Sequence, residues 1–256
     1  MSNKIKRILV TGSNGTIGTR LMQKLAETSL RSIGLDIKKN NWDEKINFKT
    51  SLIDLRNKKN LLKKKIKADL IIHLAANARV YNLIKDPVLA RDNVETTFNI
   101  LEFARKNNIK KIIFASSREV YGQSKKLTNN ENDVKIENSE SPYTASKIFG
   151  ESILHSYSKC YGIEYLIFRF SNIYGMYDTS DRVIPLFLKQ LKNKRNLKIY
   201  GKNKYLDFTY IDDAVNALIL GISKFNKLKN QTFNISCGEA STIINVAKYL
   251  IKKTNS

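Results

Sequence analysis

Short apolar runs recur along the chain at residues 8–10, 32–35, 70–74, 111–115 and 165–170. Stretches with apolar residues at helical spacing separate them, as at Ile17, Leu21 and Leu25. Strand-like runs alternating with helices predict an α/β fold with a parallel sheet and right-handed crossovers. Residues 123–141 are polar, rich in Asn and Glu, and read as a loop. Residues 176–204 are expected to leave the sheet, with 207–222 and 232–235 returning to it. No internal repeat or low-complexity linker interrupts the pattern. At 256 residues the chain can bury a substantial core in one domain, with room for a small lobe.

Chemistry enters between the first strand and the first helix. Gly12-Ser-Asn14-Gly15-Thr16-Ile17-Gly18 places three glycines at spacing three. One glycine allows the tight turn, one lets backbone approach a pyrophosphate, and one lets the helix pack against the strand. The pyrophosphate then lies on the helix N-terminus, where free N–H groups and the dipole favour anions. The second apolar run ends in Asp36, a carboxylate that suits a ribose diol and repels a 2′-phosphate. Lys38 and Lys39 follow at once, so NADP is disfavoured without being excluded.

Further along stands Tyr143-Thr-Ala-Ser-Lys147, a phenol and an amine that share one helix face. A free phenol has a pKa near 10 and is a poor base at neutral pH. An ammonium beside it is expected to lower that value, and a shift of roughly 3 units corresponds to about 4 kcal/mol. Such a phenolate can take a proton from a sugar or alcohol hydroxyl. Ser116 and Ser117 lie upstream in Phe114-Ala-Ser-Ser-Arg-Glu-Val-Tyr-Gly122.

Loop, acid and Ser/Tyr/Lys set together resemble the extended short-chain dehydrogenase/reductase family, and within it the NAD-dependent nucleotide-sugar epimerases and dehydratases. The likeness runs from about Ile5 to the last residues. Asp54-Leu55 resembles the adenine-contacting pair of that family, and His73-Leu74-Ala75-Ala76 resembles its nicotinamide-ribose channel. Asn93-Val94 resembles part of its Asn-Val-x-Gly-Thr segment, with Asn93 toward the cofactor. Arg169-Phe-Ser-Asn172-Ile-Tyr-Gly175 resembles the segment whose Asn holds the substrate diphosphate. Asp207-Phe-Thr-Tyr210 resembles a later one.

The resemblance implies a doubly wound Rossmann domain over residues 1–175, with return elements near 207–236. A partial substrate lobe is then formed by 176–206 and 237–256. It implies NAD as cofactor and a nucleotide sugar as substrate. Tyr143 is the implied base, Lys147 tunes it and bonds the nicotinamide ribose, and Ser117 holds the C4 oxygen. Glu119 and Asn172 are implied sugar and diphosphate ligands. The implied reaction is 4-epimerisation through a transient 4-keto sugar. The 4,6-dehydratases carry Asp-Glu after the Ser/Thr, whereas Arg118-Glu119 stands here, which counts against dehydration. A UDP-glucuronate decarboxylase and a non-catalytic NAD sensor are the other readings, and a sensor does not require Ser117, Tyr143 and Lys147 together. Leu206 stands where many epimerases carry a diphosphate-binding Arg, and Arg182 and Lys198 are candidates to replace it. The chain stops in a segment resembling an early helix of the C-terminal lobe, so further sugar contacts are expected beyond Ser256.

Charge changes the picture little. Lys and Arg number 45 against 23 Asp and Glu, a net charge of +22. The lysines are scattered rather than clustered, and the chain is rich in Asn and Ile, as AT-rich coding produces. A nucleic-acid partner is therefore not expected, while long-range attraction of phosphates is. Two cysteines and two histidines offer no metal spacing and no disulfide framework. Without an 18-residue apolar span or signal peptide the protein is expected in the cytoplasm and away from membranes. Apolar stripes at 94–103 and 148–157 fit either the core or the homodimer interface that the resemblance implies.

Overall fold

The computed structural model describes residues 5–256 apart from Lys125, Leu127 and Asn203. Those three fall in the expected loop and lobe, and residues 1–4 in the expected N-terminal domain, so these positions lie outside the described residues. Ten strands are described: β1 (Arg7–Thr11), β2 (Arg31–Asp36), β3 (Thr50–Leu52), β4 (Leu70–His73), β5 (Lys111–Ser117), β6 (Glu164–Phe170), β7 (Asn172–Tyr174), β8 (Tyr205–Tyr210), β9 (Gln231–Ile235) and β10 (Ala240–Thr242). The helices are α1 (Thr16–Ala26), α2 (Glu44–Asn47), α3 (Lys58–Leu62), α4 (Val80–Lys85), α5 (Val88–Lys106), α6 (Pro142–Tyr161), α7 (Val183–Lys192), α8 (Ile211–Ser223), α9 (Phe225–Leu228) and α10 (Ile243–Thr254).

Seven strands form one parallel sheet in the order β3-β2-β1-β4-β5-β6-β9. The order reverses between β1 and β4, and open α/β sheets bind ligands beyond the strand C-termini at such a switch point. Residues 8–10 read as a continuous apolar run because both faces of β1 are covered. Ile8 and Val10 join a core with Leu21 of α1 and Leu218 of α8, while Leu9 faces Ile100 and Phe103 of α5 and Leu154 of α6. The apolar stripes of α5 and α6 are thus core at Ile100, Leu101, Phe103, Leu154 and Tyr157.

The expected return of residues 207–222 to the sheet needs correction. β8 does not enter the parallel sheet but lies between β10 and β7 in a second, three-stranded sheet. The reason is a separate small core, in which Leu206 and Phe208 pack with Phe187, Ile243 and Ala247. Only α8 and β9 go back, α8 through Ile211, Ala214, Val215, Leu218 and Ile222 and β9 beside β6. Among the described residues, no helix is long and apolar enough to cross a membrane.

Candidate active site

The β1–α1 turn is built by close approach. Gly12 has φ +71°, and a Cβ there would lie 2.7 Å from the Ala75 nitrogen. A Cβ on Gly18 would lie 2.0 Å from the Gly12 oxygen. Both positions therefore exclude side chains, and α1 starts hard against β1. Gly15 precedes α1, no side chain caps that helix end, and Gly15 itself is exposed. The first-turn N–H groups of α1 are thus available to an anion.

Asp36, at the end of β2, accepts from Asn14 N at 2.9 Å and from Lys38 N at 3.0 Å. The Asn14 side chain is spent on Lys38 O at 2.5 Å, so only its backbone borders the turn. Asp54 and Leu55 follow β3 on the same edge, where Ile53 N bonds Asp36 O at 2.7 Å. The Asp54 carboxyl is held below the usual range, chiefly by hydrogen bonds from the Arg56 guanidinium 2.7 Å away. Leu55 is a core residue.

Asn93 lies on α5 beside the loop after β4. Its amide is buried, accepts from Asn77 N at 2.7 Å and donates to Asn77 O at 3.0 Å. It thereby ties α5 to the loop after β4, and it also donates to Ser146 Oγ of α6 at 3.3 Å.

The candidate reacting groups come from two neighbouring elements. Ser117 ends β5 and its hydroxyl accepts from Glu119 N at 3.2 Å, starting the 3-10 turn Arg118–Tyr121. Ser141 caps α6 by accepting from Thr144 N at 3.1 Å, and Pro142 supplies a pre-set first turn. Tyr143 follows immediately, in the turn where the helix dipole favours an anion. Its ring packs with Leu83 and Ala90. One turn later Lys147 donates to Ala115 O at 2.8 Å, and its nitrogen lies 5.8 Å from the Tyr143 ring centre.

Ser117, Tyr143 and Lys147 all border one cleft of about 540 Å³, together with Ile17, Leu74 and Ala76. Glu119 and Asn172 line it as well, as do four cations: Arg79, Arg118, Arg182 and Lys204. Asn172 donates to Asp207 O at 2.8 Å, which joins β7 to β8. Arg118 pairs with Glu119 at 2.8 Å. Of the two residues named to replace the cation missing at Leu206, Arg182 is the one on this cleft, while Leu206 is tied up in the small core.

The expected electrostatics of Tyr143 are reversed. Burial pushes its hydroxyl above the ordinary phenol value, opposed by the Ser117 hydrogen bond and by the charges of Arg182 and Arg118. Lys147 does not lower it as expected, since its ammonium is anchored on a carbonyl of β5 and is itself buried. Burial drops the Lys147 amine to about 8, against the opposing charge of Glu151.

His73 is neutral, burial having lowered its pKa to about 3. Its ring nitrogens meet Thr11 Oγ1 at 2.7 Å and Thr97 Oγ1 at 3.2 Å. That occupation makes it a strut between β4, β1 and α5.

A strap from the small lobe crosses in front of α1. Tyr177 O accepts from Thr16 Oγ1 at 3.4 Å, and its hydroxyl donates to Gln23 Oε1 at 3.0 Å. Asp181 pairs with Arg79, and Arg182 donates to Ala78 O at 3.1 Å. None of these ties is visible as a sequence motif.

Fold and site define a dinucleotide-binding Rossmann protein with a Ser/Tyr/Lys centre at its switch point. The model of the NAD dependent epimerase/dehydratase family matches residues 8–236, and the chain belongs to that family. A putative UDP-glucose 4-epimerase of Methanocaldococcus jannaschii is 38% identical over 249 residues, 92% of this chain and 78% of the relative. A dTDP-D-glucose 4,6-dehydratase of Dictyostelium discoideum is 30% identical over 98% of this chain and 64% of the relative. The structure of UDP-glucose 4-epimerase from Thermotoga maritima with UDP-glucose superposes with a TM-score of 0.89 at 27% identity, over 97% of this chain and 82% of that one. NAD is the cofactor of the family, and the turn geometry suits it: an uncapped helix end for the pyrophosphate and a carboxylate for the ribose diol.

Proposed function

We propose that the protein is an NAD-dependent nucleotide-sugar 4-epimerase. The convergence of Ser117, Tyr143 and Lys147 on the wall of one cleft carries this reading. Backbone N–H groups after Gly12 and Gly15 hold the pyrophosphate, Asp36 takes the adenosine ribose diol, and Asp54 and Leu55 border the adenine. NAD, when bound, takes up and returns the hydride of sugar C4.

Tyr143 accepts the proton of the C4 hydroxyl and later gives it back. Ser117 holds the C4 oxygen, and its hydrogen bond offsets part of the burial that disfavours the phenolate. Lys147 acts from the far side of the ring. An ammonium has three donors, Ala115 takes one, and the nicotinamide ribose hydroxyls take another. Arg182 and Lys204, with the Asn172 amide, supply charge and donors to the substrate diphosphate.

A dehydratase relative makes elimination the second reading. Arg118 in its ion pair with Glu119 supplies no acid for a C6 hydroxyl, which favours epimerisation. For assembly, the exposed rings of Phe98 on α5 and Tyr161 at the end of α6 support a homodimer across these helices.

Incubating the protein with UDP-glucose and following the product by NMR tests the reaction. A C4 epimer is expected, and a 4-keto-6-deoxy sugar would assign elimination instead. Tyr143→Phe is expected to bind NAD normally and to lose at least a hundredfold in kcat. Parental turnover in that variant would remove Tyr143 as the base.

A further inference from the structure

Tyr143, Lys147 and Glu151 recur every four residues, so they form one row along α6. Glu151 is buried under the cleft floor. Its Oε1 accepts from Ser116 Oγ at 2.5 Å and from Arg169 Nε at 2.9 Å, and its Oε2 accepts from Arg169 Nη2 at 2.6 Å. Glu151 and Arg169 are only 7% and 5% exposed. Arg169 stands on β6 beside Ser116 of β5 in the parallel register. Its remaining arm donates to Tyr121 OH at 3.0 Å and to Glu131 O at 2.7 Å. Tyr121 in turn donates to Asn234 Oδ1 on β9 at 2.5 Å.

A buried ion pair is weak evidence of stability, because desolvating two charges cancels most of their attraction. Its use here is geometric. α6 is tied to β5 at two consecutive residues, by Lys147 on Ala115 O and by Ser116 on Glu151. The next residue of β5 is Ser117. These two ties therefore set how far Tyr143 stands from Ser117.

We propose that Glu151, clamped by Arg169, is a positioning residue of the active site. It fixes α6 against the end of β5 through Ser116 and places a buried negative charge on the helix face that carries Lys147. The proposal rests on Tyr143 and Lys147 being the reacting pair.

The charge has a direction. Facing Lys147 are Tyr143 and Glu151 on its own helix, and His73 from β4. Arg118 and Glu119 come from the turn after β5, Arg169 from β6, and Arg182 from the start of α7. His73 is neutral, and Glu119 is already paired with Arg118. Glu151 is the group that opposes the burial of the ammonium. Without its charge, Lys147 loses its proton at lower pH.

The test compares parent, Glu151→Gln and Ser116→Ala for NAD affinity and kcat between roughly pH 6 and 10, with melting temperatures alongside. In Glu151→Gln the alkaline fall of both quantities is expected to move down by about one pH unit. Ser116→Ala keeps the ion pair and is expected to lower kcat about tenfold or more, with KM and the alkaline limb unchanged. Should Glu151→Gln not fold, the double variant Glu151→Gln/Arg169→Met removes two opposite charges that offset one another at Lys147, so it is expected to move the alkaline limb less and to lower kcat about tenfold or more through loss of the clamp. Unmoved limbs and parental kcat, with only melting temperatures reduced, would make the pair purely structural and overturn the proposal. The NAD-affinity limb is independent of turnover. If Tyr143→Phe turned over normally, the base assignment would fail while this measurement still reported on Lys147 and Glu151.

Discussion

His73 shows how a single side chain can be chemically distinctive without being a reactant. Both ring nitrogens meet threonine hydroxyls, and burial holds the imidazole neutral down to about pH 3. In the unfolded chain it takes a proton near pH 6.5. Between those values the unfolded state binds more protons, so stability falls as pH drops from about 6.5 toward 3. At pH 5 the loss from this residue is about 2 kcal/mol. Thermal melts at pH 7 and 5 should show this, and His73→Asn should remove about that much of the difference. An unchanged pH dependence in the variant would mean that the imidazole is charged in the folded protein.

At this scale the pattern of candidate residues is legible in the sequence and their energetics are not. The glycines, Asp36, Ser117, Tyr143 and Lys147 stand in local patterns whose spacing carries their meaning. The pKa of Tyr143 does not, because it depends on burial by Leu83 and Ala90, which lie far away in the chain. Arg182 reaches the cleft and Lys198 does not, and spacing alone cannot separate them. Asn93 is legible as part of a helix, but its bonds to Asn77 are not, because nothing in the local spacing announces them.

Among the elements, α6 matters most. It carries Tyr143 and Lys147 and must lie close to β5 for Lys147 to reach the Ala115 carbonyl. Gly150 makes that approach possible: a Cβ there would stand 2.4 Å from the Phe114 ring. Gly150→Ala gains helix propensity of up to ~1 kcal/mol but overpacks by roughly 1–3 kcal/mol. The ring of Phe114 also stacks on His73, so it cannot swing aside freely. The variant is expected to melt lower and to lose kcat as the helix is pushed off the strand. A higher melting temperature with full activity would show that the ring yields.

The central strands of the seven-stranded sheet are legible because they are covered on both faces and read as unbroken apolar runs. β3, β7, β8 and β10 are not, being short and partly exposed. β8 in particular reads like a sheet-returning strand until Leu206 and Phe208 are seen to have another core to enter.

Over the whole molecule, the strap ties the small lobe to α1 and to the loop after β4. Tyr177 bonds Thr16 and Gln23 along α1 and packs its ring 5.5 Å from Trp42. Tyr177→Ala removes the Gln23 hydrogen bond, worth about 0.5–1.5 kcal/mol net, and the ring contact with Trp42, while the Thr16 bond to the backbone carbonyl stays, so NAD release should speed up roughly tenfold. Stopped-flow displacement of bound cofactor measures it, and an unaltered release rate would free the strap of this role.

Tyr177, Asp181 and Arg182 fasten the same short segment at three places, and a segment fastened in this way opens only when all three let go together. In the epimerase reaction proposed above, the cofactor ends each cycle as it began and need not be traded. On that reading, slow opening of the strap costs no turnover, and the fraction of working sites follows the supply of dinucleotide rather than the speed of its exchange.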